Sequence, residues 1–343
     1  MKKLLNTVYV NNPDRYLSLD GEDLVISQDD AEIGRVPLHN IERIVTFGHS
    51  GASPALMGKC AKNGIELVFM SRNGHFLARV EGEVRGNVLL RRTQYRWADD
   101  KVRSLGIAKN IISAKLYNSR WVLERMVRDH GARINTELFE KKSDFLYNSI
   151  TQIKDAENAD ELRGIEGEAA SVYFSVFDDM ILQQKDDFCF RTRNKRPPLD
   201  NVNALLSFAY SLATGMCQSA LESVGLDPYV GFMHTDRPGR CSLALDLVEE
   251  FRAVLCDRFV LTVINKRIIS NDDFIKREDG AVLLTENGRK NFLSAWQKRK
   301  YEELKHPFLE EKVEWGMLPY VQAMLLARYI RGDLDAYPPF MWK

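Results

Sequence analysis

The chain has 343 residues and carries 48 Lys and Arg against 48 Asp and Glu, so its formal net charge is zero. That balance excludes a histone-like basic chain, and 45% apolar with 10% aromatic residues excludes a disordered polymer. At roughly 100–200 residues per domain the length suggests two domains, each able to bury a core without staples.

Residues 1–95 read as β. Short alternating or β-branched runs recur at Thr7–Val10, Tyr16–Leu19, Leu24–Ser27, Ile33–Val36, Ile41–Thr46, Ile65–Phe69, Phe76–Val80 and Val88–Arg92. Turn chemistry separates them, as at Asp20-Gly21, and Asn73-Gly74 is a hairpin signal that needs positive φ. Pro54–Asn63 is the exception, with the spacing of a short helix. These runs suggest a small sandwich-like β domain. Residues 96–100 read as a linker, and the texture then becomes helical. Ala98–Asp129 places Val102, Leu105, Ile112, Leu116, Val122 and Met126 at helical spacing, and similar windows continue to about Arg331. The expected architecture is therefore α+β: a β domain over 1–95, then an all-α domain over 101–335. The last residues, 336–343, form a Pro- and aromatic-rich tail that reads as a frayed end or a partner-docking segment.

Five cysteines are present, Cys60, Cys189, Cys217, Cys241 and Cys256, and no two have CxxC spacing. The start does not resemble a signal peptide, and the apolar runs fall far short of a membrane span of about 20 residues. The chain reads as cytoplasmic with reduced thiols.

Three segments carry candidate chemistry. In Arg163–Ile181, helical projection puts Ala169, Ala170, Tyr173, Phe174, Phe177, Met180 and Ile181 on one arc, with Glu168 opposite. Glu166 falls in the middle of the apolar arc. A carboxylate there needs a basic partner or a metal, and Gly167 beside it suggests close backbone approach. In the second segment, His234 precedes a Pro238-Gly239 turn and an amphipathic run in which Asp246 and Glu249 lie three apart on one helix face. Taken together, these residues offer carboxylate, imidazole and carboxylate on separate elements. Such a donor set suits Mg²⁺ or Mn²⁺ better than Zn²⁺, and divalent ions on carboxylates commonly serve phosphodiester chemistry. In the third segment, Arg191, Arg193, Lys195 and Arg196 interleave with Phe188 and Phe190 and run into Pro197-Pro198; Asp200 is a candidate N-cap for a helix from Asn201. Further basic residues stand at Arg237, Arg240 and Lys298-Arg299-Lys300. No GxGxxG, GxSxG or HExxH motif is present.

These motifs resemble, in order, those of the CRISPR-associated integrase family, the nuclease of spacer acquisition. The first is Gly164-Ile165-Glu166-Gly167 with Ala169-Ala170 and Tyr173-Phe174. The second is Arg196-Pro197-Pro198 with Asp200 and Asn203–Tyr210. The third is His234 with Arg237–Arg240, Ser242–Leu247 and Glu249–Arg252. The Arg191–Pro198 wording and the chain length resemble subtype I-C. The resemblance implies a metal-dependent DNA endonuclease and integrase, with Mg²⁺ or Mn²⁺ held by Glu166, His234 and Glu249, and less firmly by Asp246. It implies DNA contacts at Arg191, Arg193, Lys195, Arg196, Arg237, Arg240, Lys298 and Arg299. It also implies a homodimer built through the β domains, and three partners: double-stranded prespacer DNA, the CRISPR leader-repeat, and a dimer of the small ferredoxin-like second adaptation protein. No membrane is implied. Two rival readings are a DNA-binding scaffold without catalysis and a carboxylate-pair glycosidase using Glu166 and Glu249. The glycosidase leaves His234 and the basic clusters without work.

Overall fold

The computed structural model describes residues 7–41, 43–48, 51–71, 76–80, 82 and 88–343. They divide into two compact units. The N-terminal segment of the first contains seven described strands in two sheets. Strands β1 (Thr7–Val10), β5 (Arg43–Phe47), β6 (Glu66–Met70) and β7 (Phe76–Val80) form one sheet in the order β1-β5-β6-β7. Strands β2 (Tyr16–Asp20), β3 (Asp23–Gln28) and β4 (Ala31–Pro37) form an antiparallel meander. The first sheet departs from an ordinary sandwich because β1, β5 and β6 pair in parallel. Parallel neighbours need a crossover, and helix α1 (Pro54–Asn63) supplies it between β5 and β6. Its ends follow local chemistry: the Ser53 hydroxyl accepts from Leu56 N at 3.2 Å, and Gly64 takes φ +67° just past the last turn. Val10, Leu17, Leu24, Ile44, Leu56, Cys60 and Leu67 form the core beneath both sheets.

The second unit is mainly helical rather than all-α, since Glu303–Lys305 and Lys312–Glu314 pair as a two-stranded antiparallel sheet within it. Helices α2 (Val88–Asp99), α3 (Lys101–His130), α4 (Thr136–Asp155) and α5 (Ala159–Phe174) come first. They are followed by α6 (Asn201–Ser223), α7 (Ser242–Glu249), one turn of π-helix (Arg252–Asp257) and α8 (Arg258–Asn265). Helix α3 packs against α4, α5 and α7, while α6 packs against α7 and the last helix, α10 (Leu318–Arg331). Asp200 caps α6, accepting from Asn203 N at 2.7 Å. All five cysteines are unbridged, and among the described residues no helix is long and apolar enough to cross a membrane.

Four further sequence expectations change here. Val88–Arg92 is helix rather than strand, because Leu90 and Gln94, four apart, are the residues it buries. The units are not the contiguous blocks 1–95 and 101–335: the first comprises Met1–Arg85, Asp272–Ile275 and Leu283–Tyr301, so helix α9 (Glu286–Tyr301) belongs to it. That helix is tied there by Asn11 Nδ2 donating to Glu286 O at 3.0 Å and Lys300 Nζ donating to Thr7 Oγ1 at 3.0 Å. The tail is not frayed, since Tyr337 and Phe340 are buried within the second unit. The helix bearing Glu166 stops at Phe174, so Phe177, Met180 and Ile181 join the core from beyond it. The Asn73-Gly74 hairpin lies outside the described residues.

Candidate active site

Glu166 sits in the third turn of α5. That helix starts where Asn158 accepts from Asp160 N and Glu161 N, with two acids in its positive first turn. The partner that its awkward position demanded is Lys115, on the neighbouring helix α3. The Lys115 ammonium pairs with Glu166 Oε1 and stands 2.8 Å from Glu249 Oε2. The other Glu249 oxygen, Oε1, pairs with Arg252 at 3.1 Å, one turn further along the chain. Two carboxylates from two helices thus converge on one ammonium. Burial alone would raise the Glu249 pKa, but Arg252, Lys115 and then His234 overcome it and hold it at about 2. Burial likewise works against the Lys115 charge, and Glu249 and Glu166 more than offset it, so its pKa rises.

His234 comes from the irregular loop before α7, and Asp246 holds it there. Asp246 is fully buried and spends both oxygens on that loop. Its Oδ2 accepts from Phe232 N at 2.6 Å and Met233 N at 3.0 Å. Its Oδ1 accepts from His234 N at 2.9 Å and His234 Nδ1 at 2.6 Å. Because a carboxylate only accepts, Nδ1 carries a proton, and in the neutral imidazole that tautomer leaves the lone pair on Nε2. Gly231 is required beside this clamp: a Cβ there would come within 2.8 Å of Ser242 Cβ and 2.9 Å of Asp246 Oδ2. The constraint expected at Gly167 is absent, since a Cβ there would meet nothing within 4 Å. Asp246, read from the sequence as a less firm metal ligand, has both oxygens engaged by this loop and orients His234.

A second polar layer supports the first. Tyr210 donates to Asp257 Oδ1 at 2.6 Å, and burial pushes the Asp257 carboxyl up to about 6. The Arg252 guanidinium lies 4.9 Å from the Tyr210 ring centre and that of Arg193 lies 5.3 Å from it. On the other side of the α7 terminus, Glu250 turns away from Glu249 and holds the tail. It accepts from Tyr337 Oη at 2.6 Å, Phe340 N at 2.8 Å and Gln322 Nε2 at 2.9 Å. Asn118 adds to this, donating 2.7 Å bonds to both Glu250 O and Phe340 O. Burial raises the Glu250 pKa to about 7 against these three donors.

The structure thus brings Glu166 and Glu249 to one point, with His234 near enough to act on the Glu249 charge. As placed, no three His, Cys, Asp or Glu side chains among the described residues form a group able to hold a metal ion. The space between the two carboxylates is taken by an ammonium. The donors themselves suit Mg²⁺ or Mn²⁺: two carboxylates that already share a cation, and an imidazole whose tautomer leaves Nε2 available.

The basic residues expected to touch DNA fall into different settings. Arg191, Lys195, Arg196 and Arg237 are exposed and Arg240 is half-buried. Lys195 lies near the site: desolvation first, then repulsion from Arg252 and Arg193, lowers its pKa. Arg193 is engaged internally, with bonds to Asn203 Oδ1 at 2.7 Å and Ser207 Oγ at 3.1 Å. Phe188 and Phe190 are core residues; the Phe190 ring centre lies 4.9 Å from that of Phe177, so neither ring offers a stacking platform. Lys298 and Arg299 lie in the first unit on α9, where Lys300 is buried. Sequence reasoning missed Lys115 and Asp257, and it placed Tyr210 and Arg252 in motifs without giving them a role. Lys115 had a readable signal: it interrupts the buried α3 stripe of Ala108, Ile111, Ser119 and Val122.

The chain is similar to known proteins over its whole length. The family model described as CRISPR associated protein Cas1 matches residues 8–298. The CRISPR-associated endonuclease Cas1 2 of Rhodospirillum rubrum is 54% identical over 347 residues, covering 100% of both chains. The CRISPR-associated endonuclease Cas1 1 of Chlorobaculum tepidum is 48% identical, again over 100% of both. Among solved structures, a casposase bound to integration product superposes with a TM-score of 0.84 at 24% identity, over 98% of this chain and 94% of that one. That last likeness is one of fold.

Proposed function

The chain belongs to the CRISPR-associated protein Cas1 family, and from that premise we propose that it is a metal-dependent DNA endonuclease and integrase of CRISPR adaptation. In this reading the 3′-hydroxyl of a captured double-stranded prespacer attacks a phosphodiester at the edge of the leader-repeat. The new ester forms as the old P–O bond breaks, and water in place of the hydroxyl gives nuclease activity.

One observation carries the proposal: Glu166 and Glu249, from different helices, converge on a single cation beside an imidazole pinned by Asp246. Glu166, Glu249 and His234 Nε2 would hold Mg²⁺ or Mn²⁺, which when bound stabilises charge on the phosphoryl and leaving oxygens. Asp246 keeps the imidazole in its ligating tautomer, and Arg252 keeps Glu249 ionised and oriented. Lys195, Arg191, Arg196, Arg237 and Arg240 supply positive charge for the DNA backbone, with Lys298 and Arg299 on the first unit. We extend the reading to a cytoplasmic homodimer that works with a dimer of the small ferredoxin-like second adaptation protein. The subtype I-C reading rests on the Arg191–Pro198 wording and the chain length.

The test is joining of a 3′-hydroxyl oligonucleotide to supercoiled leader-repeat DNA. Joining should require Mg²⁺ or Mn²⁺, stop with EDTA, and vanish in Glu166→Ala and His234→Ala variants that keep their circular dichroism. Wild-type joining by either variant would refute the site assignment. DNA binding without nicking in any metal would make the chain a scaffold.

A further inference from the structure

We propose that Lys115 is the resident counter-ion of the metal-free site, and that a divalent cation must displace its ammonium to bind. The inference rests on the metal-site reading above and goes beyond it. The ammonium occupies the one point where Glu166 Oε1 and Glu249 Oε2 converge, 2.8 Å from the latter. Two carboxylates drawn this close call for a cation between them, and Lys115 is the cation that bridges Glu166 Oε1 and Glu249 Oε2. A divalent ion and an ammonium at the same point would repel strongly in so buried a setting. The two occupants therefore exclude each other.

The surroundings suit an exchange. Arg252 holds Glu249 through Oε1 at 3.1 Å, so the carboxylate keeps its orientation when the cation at Oε2 leaves. Lysine is a point charge on a flexible stem, easier to dislodge than a bidentate arginine. A cavity of about 30 Å³ beside Lys115 leaves its stem slack, but its walls are mostly apolar, with Leu116, Leu146, Ala170 and Phe174, and would not host an ammonium. The displaced group therefore turns toward solvent, which the Lys115 side chain already reaches with 12% of its surface. Lys115 thus acts by setting metal affinity and by keeping α3, α5 and α7 together before metal arrives.

The experiment uses the full chain with Mn²⁺ alone as probe, followed by calorimetric titration and by thermal melting with and without the ion. Lys115→Met should bind Mn²⁺ at least about tenfold tighter than wild type, because the competitor is gone. Its metal-free midpoint should fall, and saturating Mn²⁺ should restore it. A second measurement needs no variant: in wild-type protein, mass-spectrometric mapping of an amine-reactive label should find Lys115 slow to react without metal and faster with Mn²⁺. Equal or weaker Mn²⁺ binding by Lys115→Met, or labelling of Lys115 indifferent to Mn²⁺, would overturn the proposal. If neither wild type nor Lys115→Met takes up Mn²⁺, or if Glu249→Gln binds it as wild type does, the metal-site reading itself falls and this inference falls with it.

Discussion

Asp246→Asn tests the site at the residue that holds it together. The side chain keeps its shape but exchanges one acceptor oxygen for an NH₂ group. Each carboxylate oxygen now faces two donors: Oδ2 faces Phe232 N and Met233 N, and Oδ1 faces His234 N and His234 Nδ1. With the NH₂ toward the first pair, two buried N–H groups lose their acceptor. Turned the other way, only His234 N does, because the imidazole can shift its proton to Nε2 and accept at Nδ1. The second orientation is cheaper, and one unsatisfied buried donor costs about 1–3 kcal/mol. The tautomer shift removes the lone pair from Nε2, the nitrogen available to a metal. Folding should therefore survive with a loss of about 1–3 kcal/mol in urea unfolding, while Mn²⁺ affinity and integration fall by about 10–100-fold, the usual range for a lost orienting residue. Asp246→Asn with wild-type Mn²⁺ titration and wild-type strand joining would refute the reasoning.

Phe340→Ala should destabilise the second unit by about 3–5 kcal/mol, since Phe340 is fully buried with its ring centre 5.7 Å from that of Phe251; it should also expose residues 336–343 to carboxypeptidase, and a loss under about 1 kcal/mol would deny the tail its docked role. Burial raises the Glu250 pKa from 4.5 to about 7, so its stabilising contribution is full below about pH 4.5 and is lost as pH rises through 7. That difference is worth about 3 kcal/mol; Glu250→Gln, which cannot ionise, should flatten the unfolding free energy across this window, and parallel wild-type and variant curves would refute it. Lys298→Ala should weaken DNA binding and reduce the slope of log affinity against log salt by about 1. Lys300→Met, at a buried position, should lower the melting temperature and leave that slope unchanged; the reverse pattern would mean that the two lysines have been assigned the wrong way round.

Much of the local structure was legible because local interactions produce it. Pro54–Asn63 matches its helix residue for residue: its boundaries are set by Ser53, Pro54 and Gly64, all within one turn of the ends. Asp200 announced α6 for the same reason. Val88–Arg92 misled because a single β-branched residue opens a run of leucines and arginines, which favour helix, and only the burial of Leu90 and Gln94 settles it. The tail was ambiguous because its aromatic residues have no periodicity. Its anchor, Glu250, lies 90 residues before Phe340 in the chain.

The sequence by itself determined which residues could do chemistry. Glu166 stands where a charge should not, and Asp246 and Glu249 share a short helix after His234. It also determined that Glu166 needed a partner, because a carboxylate among apolar neighbours cannot stay ionised alone. Only the tertiary structure decided what that partner is. Lys115 lies 51 residues before Glu166, on a helix whose packing against α5 and α7 no periodicity reports. The same packing decided that Asp246 orients His234 and that Glu249 faces the cation. Both acids lie on one helix face, and what separates their roles is the backbone of the 231–234 loop on one side and Lys115 with Arg252 on the other.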